Sequence, residues 1–225
     1  MQNIFIIIPA KNEQKSIETV LQDVQKYGYT NIVVVDDGST DQTGRIARDA
    51  GAIVLTHFIN RGQGAALRTG TEYALQNNAD IIIHFDADGQ MRAEDIKKLI
   101  QPLLEETADM SLGSRFMGEG SNIPPLRKLV LKCAKIFMRV FFNVKTTDPQ
   151  SGFRALNKKA ARQITITQRG MAHCGEILED ALRKKLIIKE VPVIIRYTEY
   201  SKKHGQNNLA AFTIASKLLW RKLMR

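Results

Sequence analysis

The residues best suited to chemistry are two aspartates separated by one residue, Asp86 and Asp88, in the sequence His84-Phe85-Asp86-Ala87-Asp88-Gly89-Gln90. They follow an apolar run that is typical of a buried strand, so both carboxylates can turn toward one site at the strand's carboxyl end. Two carboxylates and the amide oxygen of Gln90 are hard ligands that suit Mg²⁺ or Mn²⁺, and such an ion neutralises charge on a departing diphosphate. An ordinary acidic turn explains the same residues equally well.

Two further polar loops follow predicted strands. Pro9-Ala10-Lys11-Asn12-Glu13 comes directly after the first apolar run, and Asp36-Asp37-Gly38-Ser39-Thr40-Asp41 comes directly after the second. The carboxyl ends of neighbouring parallel strands share one edge of a sheet, which is where open α/β sheets bind ligands. We therefore expect all three loops to meet at one site, which favours a functional role for the acidic pair.

The elements that position these loops alternate between the periods of strand and helix. Strands are predicted at Ile4–Ile8, Ile32–Val35, Ala52–Thr56, Ile81–Phe85 and Met110–Leu112, and helices at Ser16–Lys26, Asp41–Ala50, Gly64–Gln76 and Ala93–Glu106. Beyond these we expect a loop at Gly118–Pro125, a basic and apolar helix at Leu126–Lys145, a strand at Ile187–Ile195 and a helix from about Leu209 to Arg225. The fold class is α/β, with a mostly parallel sheet flanked by helices.

Charge is divided unevenly along the chain. Residues 1–121 carry 11 Lys and Arg against 17 Asp and Glu, a net charge of −6, whereas residues 122–225 carry 22 against 6, a net charge of +16. The basic half indicates an anionic partner such as lipid headgroups or phosphates. Cys133 and Cys174 lie far apart, which indicates neither a disulfide framework nor a zinc site and favours a reduced, cytoplasmic setting. No apolar run is long enough to predict a membrane-spanning helix.

Taken together, the motifs resemble family 2 glycosyltransferases, in the branch of dolichyl-phosphate mannosyltransferase and bacterial polyprenyl-phosphate glycosyltransferases. The resemblance runs from Ile4 to about Glu190. Besides the three loops above it includes Asn60-Arg61-Gly62-Gln63-Gly64, Gly113-Ser114-Arg115 and Asp148-Pro149-Gln150-Ser151-Gly152-Phe153-Arg154. It implies a GT-A fold, with residues 1–195 as the glycosyltransferase domain, 1–113 as its nucleotide-sugar half, 114–195 as its acceptor half, and 196–225 as a basic loop and amphipathic helix.

The resemblance also implies roles for individual residues. The nucleotide-sugar site comprises Pro9, Ala10, Asn12, Glu13, Asp36, Asp37, Gly62, Gly64, Asp86, Ala87 and Asp88, in which the two glycines let the backbone pass close to the donor. The metal ligands are Asp86, Asp88 and Gln90. Arg115 meets a donor or acceptor phosphate, and Glu176 matches an acidic position late in the domain, although a surface carboxylate on an ordinary helix is the alternative. Relatives often have Lys where Gln63 stands, so any charge contact from that position is missing.

The expected acceptor is a lipid phosphate, in cell-envelope glycan synthesis at the inner face of the membrane. An inverting transfer to a sugar hydroxyl needs a base, for which Asp148 is the candidate, but a phosphate oxygen is already anionic. In that case Asp148 only orients Arg154 or the loop. Six cations are expected to steer the phosphate: Arg115, Arg127, Lys128, Arg154, Arg196 and Lys202. The hydroxyl of Ser201 is expected to contact it as well. His173 and His204 lack a paired carboxylate in any motif and are interpreted as bystanders.

The basic, amphipathic segments 126–145 and 209–225 predict attachment to an anionic membrane surface. The alternative is that their apolar faces pack on the core. A small membrane partner protein is a further expectation. A glycosyltransferase acting on a saccharide hydroxyl and a sugar-1-phosphate nucleotidyltransferase remain as other enzymes, although the latter usually has a Gly-rich loop after the first strand. A dinucleotide-binding oxidoreductase is disfavoured by the absence of that loop, and a nucleic-acid-binding protein by the absence of a binding motif.

Overall fold

The computed structural model describes residues 2–118, 120–170 and 172–197, which form one seven-stranded sheet and its flanking helices. The strands are β1 (Ile4–Ala10), β2 (Ile32–Asp37), β3 (Ile53–His57), β4 (Ile81–His84), β5 (Met110–Ser114), β6 (Arg154–Asn157) and β7 (Ile188–Pro192). The helices are α1 (Ile17–Lys26), α2 (Thr43–Asp49), α3 (Gln63–Gln76), α4 (Ile96–Leu104), α5 (Pro125–Phe142), α6 (Lys158–Gln163) and α7 (His173–Arg183).

Most predicted elements are confirmed, with boundaries that differ by a few residues. The segment predicted as one helix from Ala93 to Glu106 is instead a 3₁₀ turn, Ala93–Asp95, followed by α4. Three elements that the sequence did not predict are the strand β6 and the helices α6 and α7. The helix predicted from about Leu209 lies outside the described residues.

The strand order, β3-β2-β1-β4-β6-β5-β7, brings the three polar loops together. β2, β1 and β4 are neighbours and run parallel, with Ala10 beside Asp36 and Ile7 beside His84, so the loops that follow them emerge at one edge as predicted. β6 is antiparallel to both of its neighbours and places Arg154 opposite His84. Because β6 begins where β4 ends, the loop before it is delivered to the same edge.

The sheet is covered on both faces, and the alternation of β1 shows how. Ile6 and Ile8 pack with Leu21 of α1 in one apolar cluster, whereas Ile7 packs with Leu67 of α3 in the other. All of these side chains are buried, and each contributes roughly 1.5–3 kcal/mol by leaving water. The two cores hold the sheet rigid, so that the loops at its carboxyl edge start from fixed positions.

Helix α5 is packed on one side only. Leu131, Met138 and Phe142 are buried, whereas the opposite side carries a stripe of exposed residues at every third or fourth position: Leu126, Leu129, Cys133, Ile136 and Val140. Along one side of this stripe runs a row of basic residues, Lys128, Lys132, Lys135 and Arg139, and α5 contains no acidic residue. Among the helices in the described ranges, none is long and apolar enough to cross a membrane.

Candidate active site

Asp86 and Asp88 lie directly beyond the carboxyl end of β4 and face a cavity of about 910 Å³. The Asp86 backbone N–H donates to Sδ of Met91 at 3.2 Å, and its Oδ1 accepts a hydrogen bond from Nε2 of Gln63 at 2.9 Å. Oδ1 of Asp88 accepts from the backbone N–H of Gln90 at 3.0 Å, in a tight turn. Both carboxylates are therefore fixed by local contacts while remaining open to the cavity, and Gln90 lines the cavity beside them.

The electrostatic state of this pair is unusual for aspartates. Burial raises the pKa of Asp86, and nearby positive charges, of which that of His173 is the largest, only partly offset the rise. Burial likewise raises the pKa of Asp88, to about 7, and the negative charge of Asp86 adds to the rise. Two carboxylates held together against their mutual repulsion favour a cation between them.

The donor chemistry of the pair fits a divalent ion such as Mg²⁺ or Mn²⁺ in an incomplete oxygen site. In the part of the chain that the structure describes, no three Asp, Glu, His or Cys side chains are arranged to hold a metal together. Asp86, Asp88 and Gln90 would supply oxygen ligands, and the remaining positions would fall to water and to the phosphates of a substrate, as is usual for Mg²⁺.

Gly152 explains why the loop before β6 can approach the acidic pair so closely. A Cβ atom at this position would lie 2.8 Å from Oδ2 of Asp86. Any side chain at this position would therefore push the carboxylate away or move the loop. The predicted motif 148–154 thus forms a wall of the site through backbone contact.

Arg115 also lines the cavity and is held by two partners. Its Nε donates to Oδ2 of Asp148 at 2.5 Å, and its Nη1 donates to the hydroxyl of Tyr197 at 2.7 Å. Burial alone would lower the pKa of Arg115, but the charge of Asp148 outweighs this effect and raises it above the ordinary value. Arg115 is thus a fixed cation. Asp148 pairs with Arg115 rather than with Arg154, which corrects the expectation from the sequence.

Of the other predicted phosphate-binding residues, some line the cavity and some do not. Arg127 lines the cavity, and burial lowers its pKa, as does the positive charge of Arg115. Lys128 is exposed on α5 and is not part of the cavity wall. Arg196 is also exposed, although its backbone N–H donates to the carbonyl of Gln90 at 2.9 Å. Ser201 and Lys202 lie outside the described residues.

Arg154 is fully buried and does not line the cavity. The prediction that it contacts an acceptor phosphate directly is therefore wrong. Its Nη2 donates to the carbonyl of Ser151 at 2.8 Å and to Sγ of Cys174 at 3.2 Å. The guanidinium therefore holds the loop that carries the Asp86 contact. Its position follows from β6, which the sequence analysis did not predict.

The predicted nucleotide side lies around the ends of β1 and β2. Pro9 and Ala10 are buried in β1, and Ala87 is buried behind the acidic pair. Asn12, with φ of 56°, accepts a hydrogen bond from the Thr40 backbone N–H at 2.8 Å, which ties the first two loops together. The Glu13 backbone N–H donates to the hydroxyl of Thr43 at 2.8 Å. These contacts bring the two predicted motifs into one surface.

Asp36 and Asp37 are both buried, and their partners differ. Oδ1 of Asp36 accepts from the backbone N–H of Ser39 at 3.0 Å. Asp37 accepts from the backbone N–H groups of Arg61 and Gly62 at 2.8 and 2.7 Å, and its Oδ1 lies 2.7 Å from Nδ1 of His57. Asp37 therefore shapes the loop before α3, and His57 is a partner that the sequence analysis missed.

Gly62 and Gly64 are close to protein backbone rather than to open space. Gly62 has φ of +91°, and a Cβ atom there would lie 2.3 Å from the carbonyl oxygen of Arg169; at Gly64 it would lie 1.9 Å from that of Gln168. The Gly64 N–H also donates to the Arg169 carbonyl at 2.8 Å. In this structure the glycines allow the segment 167–169 to dock on the first turn of α3. Their close approach to a donor stays a prediction.

Glu176 is the residue that holds this segment in place. It is fully buried, which excludes the alternative of a surface carboxylate. Its Oε2 accepts from the backbone N–H groups of Thr167 and Gln168 at 3.0 and 2.8 Å, and its Oε1 accepts from the Thr167 hydroxyl. Glu176 is not part of the cavity wall, so its contacts are those of a positioning residue.

His173 and Cys174 are additional residues near the site. His173, interpreted from the sequence as a bystander, is fully buried at the start of α7, with Nδ1 3.0 Å from the carbonyl oxygen of Gly170. Cys174 lines the cavity. Burial would raise its pKa, but the positive charges of His173 and Arg154 outweigh this and lower it to about 6. Only their place in α7 reveals them, and the sequence analysis did not predict that helix.

The chain is similar in sequence to known glycosyltransferases. Residues 5–165 match the model of the glycosyl transferase family 2. A UDP-N-acetylglucosamine–dolichyl-phosphate N-acetylglucosaminyltransferase of Methanococcus voltae is 35% identical, over 98% of this chain and 96% of the relative. A polyprenol monophosphomannose synthase of Mycolicibacterium smegmatis is 27% identical, over 92% of this chain and 83% of the relative.

Among solved structures, glucosyl-3-phosphoglycerate synthase from Mycobacterium tuberculosis, crystallised with Mn²⁺ and UDP-glucose, superimposes with a TM-score of 0.75. The superposition covers 97% of this chain and 77% of that one at 20% identity, which supports the GT-A fold and no closer likeness. The fold predicted from the motifs is thus confirmed. The family match extends over most of the chain and contains the acidic pair, and we conclude that this protein is a glycosyltransferase of family 2.

Proposed function

We propose that the protein transfers one sugar, with inversion of the anomeric carbon, from a nucleotide diphosphate sugar to a polyprenyl phosphate at a membrane surface. The observation that carries this proposal is the composition of the cavity wall. Asp86, Asp88, Arg115 and Arg127 all line the cavity, and the described lining residues include no further carboxylate and no histidine. Among the described lining residues, an acceptor that needed a carboxylate or an imidazole as its general base would find only the acidic pair.

The donor would lie with its diphosphate at Asp86, Asp88 and Gln90. A bound Mg²⁺ or Mn²⁺ would supply Lewis-acid stabilisation of the leaving diphosphate. The nucleoside would extend from there toward the ends of β1 and β2, where Glu13 and Asp36 lie. The name of the Methanococcus voltae relative makes UDP-N-acetylglucosamine the first donor to examine.

The acceptor phosphate would be bound by the two arginines. A phosphate monoester is anionic at neutral pH, so its oxygen can attack without losing a proton to the protein, and catalysis then depends on positioning. Asp148 fixes Arg115 through an ion pair at 2.5 Å, and a carboxylate paired in this way orients the cation instead of accepting a proton. Attack from the side opposite the leaving diphosphate inverts the anomeric carbon.

The lipid part of the acceptor also has a matching surface. Ile123, Pro124, Pro125 and Leu126 line the cavity at the start of α5, so an apolar chain can leave the site there. The exposed apolar stripe of α5 continues away from this point, beside a row of basic side chains that complement anionic headgroups. We infer that α5 lies on the inner, cytoplasmic face of a membrane and that attachment is peripheral.

A transfer assay tests the proposed reaction. Purified protein with Mn²⁺ and labelled UDP-N-acetylglucosamine, UDP-glucose or GDP-mannose is given vesicles that contain polyprenyl phosphate or, as the control, unphosphorylated polyprenol. We expect label in lipid only with the phosphate, and loss of transfer in Arg115→Gln. Transfer to a soluble saccharide and not to lipid would establish the hydroxyl-acceptor alternative and refute the proposal.

Vesicle flotation tests the membrane contact separately. The double variant Leu129→Gln/Ile136→Gln changes two exposed side chains of α5 and should reduce binding to anionic vesicles, whereas Ile187→Gln changes an equally exposed apolar residue elsewhere and should not. Binding that is equal in all variants would refute attachment through α5. Failure of the wild type to bind lipid vesicles alone would instead favour a small membrane partner protein.

A further inference from the structure

The loop between α5 and β6 contains a buried hydroxyl that has no role in the proposed reaction. Ser151 lines the cavity and is only 2% exposed, yet its Oγ has no hydrogen-bond partner within the described residues. A buried polar group without a partner is costly, by about 1–3 kcal/mol, and is uncommon in native structures. The Oγ is covered by protein as it stands, but the residue lines the cavity, so a turn of the side chain toward the cavity would let a substrate group supply the missing partner.

The position of Ser151 is fixed on both sides. Its backbone N–H donates to the Asp148 carbonyl at 3.2 Å. Its carbonyl accepts from Nη2 of Arg154 at 2.8 Å, and Arg154 is itself fully buried. The backbone of Ser151 is therefore held by a turn from Asp148 and by the buried Arg154 guanidinium, so the side chain starts from a fixed position.

The next residue shows which part of a ligand this hydroxyl would meet. Gly152 lies so close to Asp86 that a Cβ atom there would be 2.8 Å from Oδ2. If the acidic pair holds the diphosphate, as in the proposed function on which this inference rests, the nucleoside extends toward β1 and β2, and the group on the other phosphate lies beside Ser151. That group is the transferred sugar, whose ring carries hydroxyls at fixed positions.

We infer that Ser151 is a specificity-determining residue that hydrogen-bonds one hydroxyl of the transferred hexose. The contact adds affinity for the nucleotide sugar and none for the nucleoside diphosphate. Loss of one such neutral hydrogen bond corresponds to about a 3- to 10-fold loss of affinity. The ratio of the two dissociation constants therefore reports on Ser151 without any contribution from the nucleotide.

Calorimetry with Mn²⁺ measures this ratio for UDP against UDP-N-acetylglucosamine and for GDP against GDP-mannose. Ser151→Ala should weaken binding of the nucleotide sugar about 3- to 10-fold and leave the nucleoside diphosphate unchanged. Ser121→Ala is the matched control, because Ser121 lines the same cavity but its Oγ already accepts from the Ile195 N–H at 3.1 Å. If Ser151→Ala does not fold, Ser151→Cys, whose side chain is of nearly equal size and a weak hydrogen-bond donor, takes its place in the measurement.

Donors that lack a single sugar hydroxyl provide the second readout. The wild type should lose affinity for one deoxy donor in particular, and Ser151→Ala should bind that donor and its parent equally. Equal weakening of both ligands in Ser151→Ala, or no weakening of the nucleotide sugar, would overturn the inference. If the wild type bound neither UDP nor GDP, the proposed function would fail first and the inference with it.

Discussion

Replacement of Asp88 by Asn should make the metal-free protein more stable at neutral and alkaline pH. Burial and the charge of Asp86 raise the pKa of Asp88 from its ordinary value of 3.8 to about 7. At about 1.36 kcal/mol per pKa unit, the ionised side chain costs the folded state at most about 4 kcal/mol. Because Asp88 is partly exposed and water screens the repulsion, we expect a gain of about 2 kcal/mol.

The stability gain of Asp88→Asn should depend on pH. Well below pH 3.8, the ordinary pKa of an aspartate, the carboxyl is protonated in both states, and the substitution should change the free energy of unfolding little. As the pH rises from about 4 to 7, the unfolded chain releases this proton while the folded protein keeps it, so the wild type loses stability and Asp88→Asn does not. The gain should be complete above pH 7. Asn retains an oxygen that can accept the Gln90 N–H, so the turn is preserved.

Urea unfolding at several pH values, with a chelator present, measures this difference. Asp49→Asn is the control, because Asp49 forms an exposed ion pair with Arg45 at 2.8 Å and such pairs contribute only about 0–1 kcal/mol. Added Mn²⁺ should reverse the order, since it stabilises the wild type far more than the variant. A stability difference that does not vary between pH 4 and 8 would show that repulsion within the acidic pair is not the cause.

Three further results are expected. The affinity of the wild type for Mn²⁺ should fall about tenfold per pH unit below pH 7, because a proton competes for Asp88; calorimetry that shows no pH dependence would contradict its role as a ligand. Gly64→Ala should lower the free energy of unfolding by about 2 kcal/mol, because the added Cβ meets the Gln168 carbonyl. Gly170→Ala is the control and should have a small effect, because no atom lies within 4 Å of its added Cβ. Equal effects of the two substitutions would contradict the docking of segment 167–169 on α3. Glu176→Gln should cost about 1–3 kcal/mol and speed hydrogen exchange of the two amides that it accepts from; unchanged exchange would exclude its positioning role.

Much of the first half could be predicted from the sequence because its signals are local. β1, β2 and β4 are short apolar runs bounded by polar loops, and parallel neighbours must end at one edge. The acidic pair was therefore correctly placed at the carboxyl end of its strand, facing a cavity. The roles of the individual site residues remain predictions, since they depend on ligands that bind there.

The second half was harder because its contacts join distant parts of the chain. β6 has only four residues and is buried on both faces, so it shows neither a long run nor an alternation. The burial of Arg154 and Glu176 follows from β6 and α7, and no local pattern marks a charged residue as buried. The docking of segment 167–169 on Gly64 likewise joins residues about a hundred positions apart, which sequence spacing cannot reveal.

The place of β6 in the sheet has a consequence for how the chain acquires its structure during synthesis. β4 and β5 follow one another in the sequence, yet β6 lies between them and pairs with both. Until residues 154–157 leave the ribosome, β4 has one edge with unpaired backbone groups, and β5, whose other neighbour β7 is made later still, has two. Such edges promote association between chains. Fragments that end before β6 should therefore aggregate, and the folding of the sheet must wait for a strand made after α5.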